Sequence, residues 1–104
     1  MSKSSGQIWR AALQQGKASL KGCLRFPHNC KTHTERYRSG GGGVILHLTV
    51  TIPNTEIPLH PDSAKVVEQC FAYALDRREC MPYNLSIRVI FRDLDGNLVR
   101  PTRL

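Results

Sequence analysis

Four residues that can bind a metal ion lie within a stretch of eleven: Cys23, His28, Cys30 and His33. Proteins hold zinc with tetrahedral sets of Cys and His, and a segment with few apolar residues gains order from such a site. The pattern Cys-x4-His-x-Cys-x2-His is more compressed than the two separated ligand pairs of familiar zinc fingers. The sequence therefore leaves two interpretations open, a zinc site and a basic segment that carries these residues without a metal.

Positive charge is concentrated in the first 43 residues, which contain eight Lys and Arg and one Glu. The remaining residues contain seven basic and seven acidic side chains. Lys and Arg neutralise phosphates and release counterions, and aromatic rings stack on unpaired bases. This mixture predicts binding of RNA or single-stranded DNA without sequence preference. The predicted binding residues are Lys3, Trp9, Arg10, Lys17, Lys21, Arg25, Lys31, Arg36, Tyr37 and Arg38. An anionic membrane surface or an acidic protein is the alternative partner.

The segment 89–99 resembles the first motif of haloacid-dehalogenase-type phosphatases, in which an apolar strand ends in Asp-x-Asp-Gly-Thr-Leu. The resemblance implies a nucleophile at Asp93 and a general acid at Asp95. It covers eleven residues, and Asn97 stands where that family has Thr. A strand followed by a tight Asp-Gly turn produces the same pattern, so we predict a β-hairpin here and no enzymatic activity.

Hydrophobic periodicity predicts the elements that must position these residues. Ile8, Trp9, Ala12 and Leu13 recur at helical spacing, which indicates a short amphipathic helix over residues 4–15. The later elements follow from alternation, helical spacing and turn residues: strands over 44–52, 85–92 and 98–100, and a helix over 62–77. The predicted fold class is α+β, a small antiparallel sheet of strand, helix and β-hairpin preceded by a basic N-terminal arm.

Four consecutive glycines, Gly40 to Gly43, separate the charged region from the apolar one. Ordering such a run costs much conformational entropy, so we predict a hinge there. The predicted layout is a basic Cys/His-containing arm over residues 1–43 and a small α+β domain over residues 44–104. A domain of about 60 residues buries a small share of its surface, which favours a homodimer.

These patterns favour a small non-enzymatic accessory protein that binds nucleic acid, RNA first. Basic proteins of this layout are common among viral products. The alternative is a protein-interaction or membrane-surface adaptor of viral matrix or movement type, in which the α+β domain docks and self-associates. The longest apolar run, Val44 to Leu46, is too short to span a bilayer and no signal-peptide core is present, so an intracellular location, cytoplasm or nucleus, is expected. No cofactor other than zinc is expected.

Overall fold

The computed structural model describes residues 5–102, with side chains from Gly6 onwards. Five elements follow one another along these residues: α1 (Ser5–Lys21), β1 (Lys31–Arg38), β2 (Val44–Thr51), α2 (Ser63–Arg77) and β3 (Leu85–Arg92). The strands form one sheet in the order β1-β2-β3, with β1 antiparallel and β3 parallel to β2. The predicted α+β fold is confirmed.

The sheet is mixed rather than antiparallel, because α2 carries the chain back across the sheet before β3 begins. Val44, the first residue of β2, pairs with Leu85, the first residue of β3. Parallel neighbours need such a crossover, usually a helix. The predicted strand over 98–100 is reduced to a single bridge between Arg92 and Leu98 after the turn at Gly96, whose φ is +86°.

The predicted N-terminal arm is not confirmed as a separate unit, because β1 pairs in the same sheet and α1 packs into the same core as the later elements. β1 pairs with β2 along its whole length, from Lys31 opposite Thr51 to Arg38 opposite Val44. Helix α1 extends past the predicted end at residue 15. The predicted boundary between residues 43 and 44 therefore falls inside a β-hairpin.

The four glycines form the turn of this hairpin and not a hinge. The Ser39 amide donates to the Gly43 carbonyl over 2.9 Å, and Gly42 has a φ of +84°, which favours glycine. Gly43 is buried, and a Cβ there would lie 3.0 Å from the Asn84 carbonyl oxygen. Glycine is therefore needed at Gly42 for its positive φ and at Gly43 for the close approach of Asn84.

Both helices cover one face of the sheet, where the core lies. Leu46, Leu48 and Val50 of β2 are fully buried, as are Val67, Phe71 and Leu75 of α2. The segment predicted to be an arm contributes five further core residues: Trp9, Ala12, Leu20, Phe26 and Cys30. These residues supply apolar area that the 44–104 segment lacks by itself. Within residues 5–102 the structure contains no helix whose length and apolar character would let it cross a bilayer.

Helix α1 approaches α2 closely at Gly16. A Cβ at this position would lie 2.7 Å from Cδ1 of Phe71, a ring that is fully buried. Gly16 therefore lets the helices pack together, although glycine lowers helix propensity. The packing benefit explains why α1 continues through Gly16 and does not end at residue 15, as the apolar spacing predicts.

His28 is a core histidine in the connection between α1 and β1. It is 6% exposed, and its ring centroid lies 4.8 Å from that of Phe26. Its Nδ1 is buried and has no hydrogen-bond partner among the described residues. Burial lowers the pKa of His28, because desolvation disfavours the imidazolium ion.

We expect Gly16→Ala to lower the free energy of unfolding by about 1–3 kcal/mol, because the added methyl overpacks the buried Phe71 ring. Gly6→Ala is the matched control, since a Cβ at Gly6 meets nothing within 4 Å. That variant should stay within about 1 kcal/mol of the wild type. Urea denaturation measures both values, and equal stability of the two variants would contradict the close helix contact.

We also expect the wild-type protein to lose stability as the pH falls from about 7.5 to about 5.5. The unfolded state binds a proton at His28 near pH 6.5, whereas the folded state resists protonation, so the free energy of unfolding rises with pH. His28→Phe should flatten this dependence in urea denaturation series. If the free energy of unfolding of His28→Phe changed with pH as steeply as that of the wild type, His28 would not be the buried neutral group.

Candidate nucleic-acid interface

Five basic residues of α1 and β1 lie along the line where the helix passes beside the edge strand. We call this line the basic seam, and it consists of Lys17, Lys21, Lys31, Arg36 and Arg38. A groove of about 420 Å³ at one end contains the three lysines, which come from both elements. A second groove of about 630 Å³ at the other end contains the two arginines. The seam thus comprises two basic grooves along α1 and β1, formed by residues far apart in the sequence.

The strand period explains how β1 contributes to this seam. Alternate residues of a strand face opposite sides of the sheet. Arg36 is opposite the buried Leu46, so it faces the helix layer, and Arg38 is opposite Val44 on the same side. The guanidinium of Arg36 lies 4.9 Å from the centre of the Trp9 ring. This cation–π contact joins the edge strand to α1.

Trp9 does not offer its ring for base stacking in this conformation. It is 8% exposed and belongs to the core, with Arg36 over one face. The sequence places Trp9 among basic residues, but its helical spacing with Ala12 and Leu20 puts it on the buried side of α1. Trp9 therefore holds Arg36 in place, while Tyr37, which is 49% exposed, is the accessible aromatic residue of the predicted set.

Within residues 5–102, no carboxylate forms an ion pair with a cation of the seam. Among the described side chains, the only ion pairs are His33 with Glu35 and His60 with Asp62, and neither includes a lysine or an arginine. The two grooves together contain one acidic residue, Glu79. An uncompensated cluster of cations produces a positive potential that attracts anions.

The remaining predicted basic residues lie away from the seam or outside the described part. Arg10 is exposed on α1, and Arg25 lies in the connection after α1, where it borders a small groove with His60 and Asp62. Lys3 lies outside the described residues. The structure therefore brings together five of the eight cations of the first 43 residues.

The structure does not bring the four predicted zinc ligands together. Within residues 5–102 there is no group of three or more His, Cys, Asp or Glu side chains that could hold a metal ion. Cys30 and His28 are buried in the core, whereas His33 lies on the exposed side of β1 with its Nε2 3.0 Å from Glu35. Burial raises the pKa of the Cys30 thiol, which disfavours the thiolate that zinc requires.

The sheet face opposite the helices carries a second set of polar residues, which we call the open face. It consists of the odd-numbered residues of 33–37 and 45–51 and the even-numbered residues of 86–92. Lys31, the first residue of β1, borders the lysine groove instead. Arg88 and Arg92 of β3 lie on this face beside His47 and Thr51 of β2. Sequence reasoning did not assign these arginines a role, although their alternation with Ile87, Val89 and Phe91 was the available signal.

Asp93 and Asp95 form the turn after β3. The Asp93 carboxylate accepts hydrogen bonds from the backbone amides of Asp95 and Asn97, both over 2.9 Å. The Asp93 amide donates to the Asn97 carbonyl, so the motif builds the tight turn predicted from Asp-Gly.

Comparison of the whole chain with protein-family models, with curated proteins and with solved structures finds no match.

Proposed function

We propose that this protein binds nucleic acid, RNA first, through the basic seam and without sequence preference. The observation that carries the proposal is the row of five seam cations with no carboxylate paired to any of them among the described residues. A polyphosphate chain supplies the missing negative charge at regular spacing, and each contact releases counterions. The role is binding, without chemical change to the RNA.

The side chains of the seam suit phosphate groups. Arg36 and Arg38 offer planar guanidinium groups that can bind phosphate oxygens in pairs, and the three lysines offer point charges. Such contacts position a nucleic acid but carry no information about its sequence. Every member of the seam is a cation that phosphate oxygens can satisfy without a base contact, which supports binding without sequence preference.

The adaptor alternative has less support from the packing. A helix that lies on a membrane needs an exposed apolar face, whereas the apolar side of α1 is buried through Trp9, Ala12 and Leu20. The apolar strand β2 offers no free edge for docking, because it has a neighbouring strand on each side. Self-association and a viral role stay predictions.

We expect the wild-type protein to bind a fluorescein-labelled oligouridine of about 16 nucleotides, with an affinity that falls steeply as salt rises. The triple variant Lys17→Ala, Lys21→Ala and Lys31→Ala removes the lysine groove. It should bind about tenfold more weakly at physiological salt. The slope of the logarithm of the binding constant against the logarithm of the salt concentration should become shallower by up to about 2, because each of the three lost phosphate contacts with a single strand contributes about 0.7. Fluorescence anisotropy measures both.

The charge-matched control is Lys65→Ala, Arg77→Ala and Arg100→Ala, which removes the same charge from exposed residues outside the two grooves. It should keep most of the affinity and most of the salt slope. Equal losses in the two triple variants would show that net charge, rather than the seam, attracts the RNA. An affinity of the wild type that does not depend on salt would contradict the proposal.

A further inference from the structure

The edge strand β1 presents different chemistry on its two sides. Its even-numbered residues face the helix layer and include Arg36 and Arg38 of the basic seam. Its odd-numbered residues from 33 onwards, His33, Glu35 and Tyr37, lie on the open face. β1 has one neighbour in the sheet, so its other edge pairs with no strand within the described part of the chain. Phosphate-binding groups and ring-bearing groups are therefore separated only by the thickness of one strand.

One carboxylate holds two of the rings on the open face. Glu35 accepts a hydrogen bond from the Tyr37 hydroxyl at one oxygen, and its other oxygen lies 3.0 Å from Nε2 of His33. Both partners are two residues from Glu35, on the same face of the strand. The bonds restrict the rotamers of the two rings before any ligand arrives, which reduces the entropy cost of binding. They also occupy both oxygens of the one acidic residue on this face.

The neighbouring strands complete a platform of rings, apolar side chains and cations. His47 is the register partner of Glu35, and Arg88 is the register partner of His47. Ile45 and Ile90 are half-buried on the same face. No described helix covers this side, since α1 and α2 both pack on the opposite face. The face carries basic residues at Arg88 and Arg92 against a single carboxylate, so its charge suits an anionic ligand.

We propose, on the basis of the proposed function, that the open face receives the unpaired bases of a single-stranded nucleic acid whose phosphates follow the basic seam. The nucleic acid crosses the edge of β1 that pairs with no other strand. Its phosphates lie toward Arg36 and Arg38, and its bases lie toward Tyr37 and His47. Every base has a π-face, so stacking on these rings requires no particular sequence. A duplex keeps its bases stacked within the helix and cannot reach the platform. The ligand class is therefore single-stranded RNA rather than duplex RNA.

The test compares Tyr37→Ala with Tyr73→Ala in anisotropy titrations of the oligouridine. Tyr73 is exposed on α2 and provides the same substitution away from the sheet. Tyr37→Ala should weaken single-strand binding about tenfold, while Tyr73→Ala should have no effect. The salt slope of Tyr37→Ala should equal that of the wild type, because no phosphate contact is lost. Tyr37→Phe keeps the ring and should retain most of the affinity.

A duplex of the same length provides the second comparison. The wild type should bind it more weakly than the single strand, and Tyr37→Ala should bind it as the wild type does. Equal affinity of the wild type for both forms, with Tyr37→Ala at the wild-type level, would overturn the inference and leave the proposed function intact. Absence of RNA binding by the wild type would overturn both.

Crosslinking of the unmodified protein avoids any doubt about the folding of variants. Oligouridine carrying 5-iodouridine is irradiated in complex with the full chain, and the adducts are located by peptide mass spectrometry. Adducts are expected at Tyr37 or His47, because the photoreactive group is on the base. Adducts confined to α1 would overturn the inference, since they would place the bases on the helix side of β1.

Discussion

The close contact between Gly16 of α1 and Phe71 of α2 sets the rotation of α1 about its own axis. This rotation determines where the basic residues of α1 lie. The helix turns Trp9, Ala12 and Leu20 toward the core on the same side as Gly16. The polar side then lies beside β1, so Lys17 and Lys21 meet Lys31 in one groove. Repulsion between these lysines costs stability, which the burial of the apolar side offsets.

The elements that sequence predicts correctly are those whose apolar residues follow a clear period. β2 and α2 bury a continuous apolar row, and both were predicted with nearly the observed bounds. β1 was missed because its side chains facing the helices are Thr32, Thr34 and two arginines, which gives no apolar alternation. An edge strand of this kind is stabilised by its neighbour, and that neighbour is not visible in local sequence.

The candidate site could be predicted in its composition but not in its arrangement. The excess of lysine and arginine before residue 43 is evident from the sequence. Which of them lie together in the seam depends on how α1 and β1 are placed in the fold, and the local sequence does not show this. The same limitation explains the zinc hypothesis, because spacing along the chain could not show that Cys30 turns into the core while His33 turns outward.

The order of the strands bears on how the molecule reaches its folded state. β1 and β2 are joined by a short glycine turn, so their pairing closes a small loop. The pairing of Val44 with Leu85 must instead close a loop that contains the whole of α2. Loop-closure entropy slows pairings between distant residues, so we expect the hairpin to assemble before β3 is added. Until β3 is added, the apolar strand β2 has an unprotected edge that can pair with another chain, so the nascent protein is most exposed to aggregation during that interval.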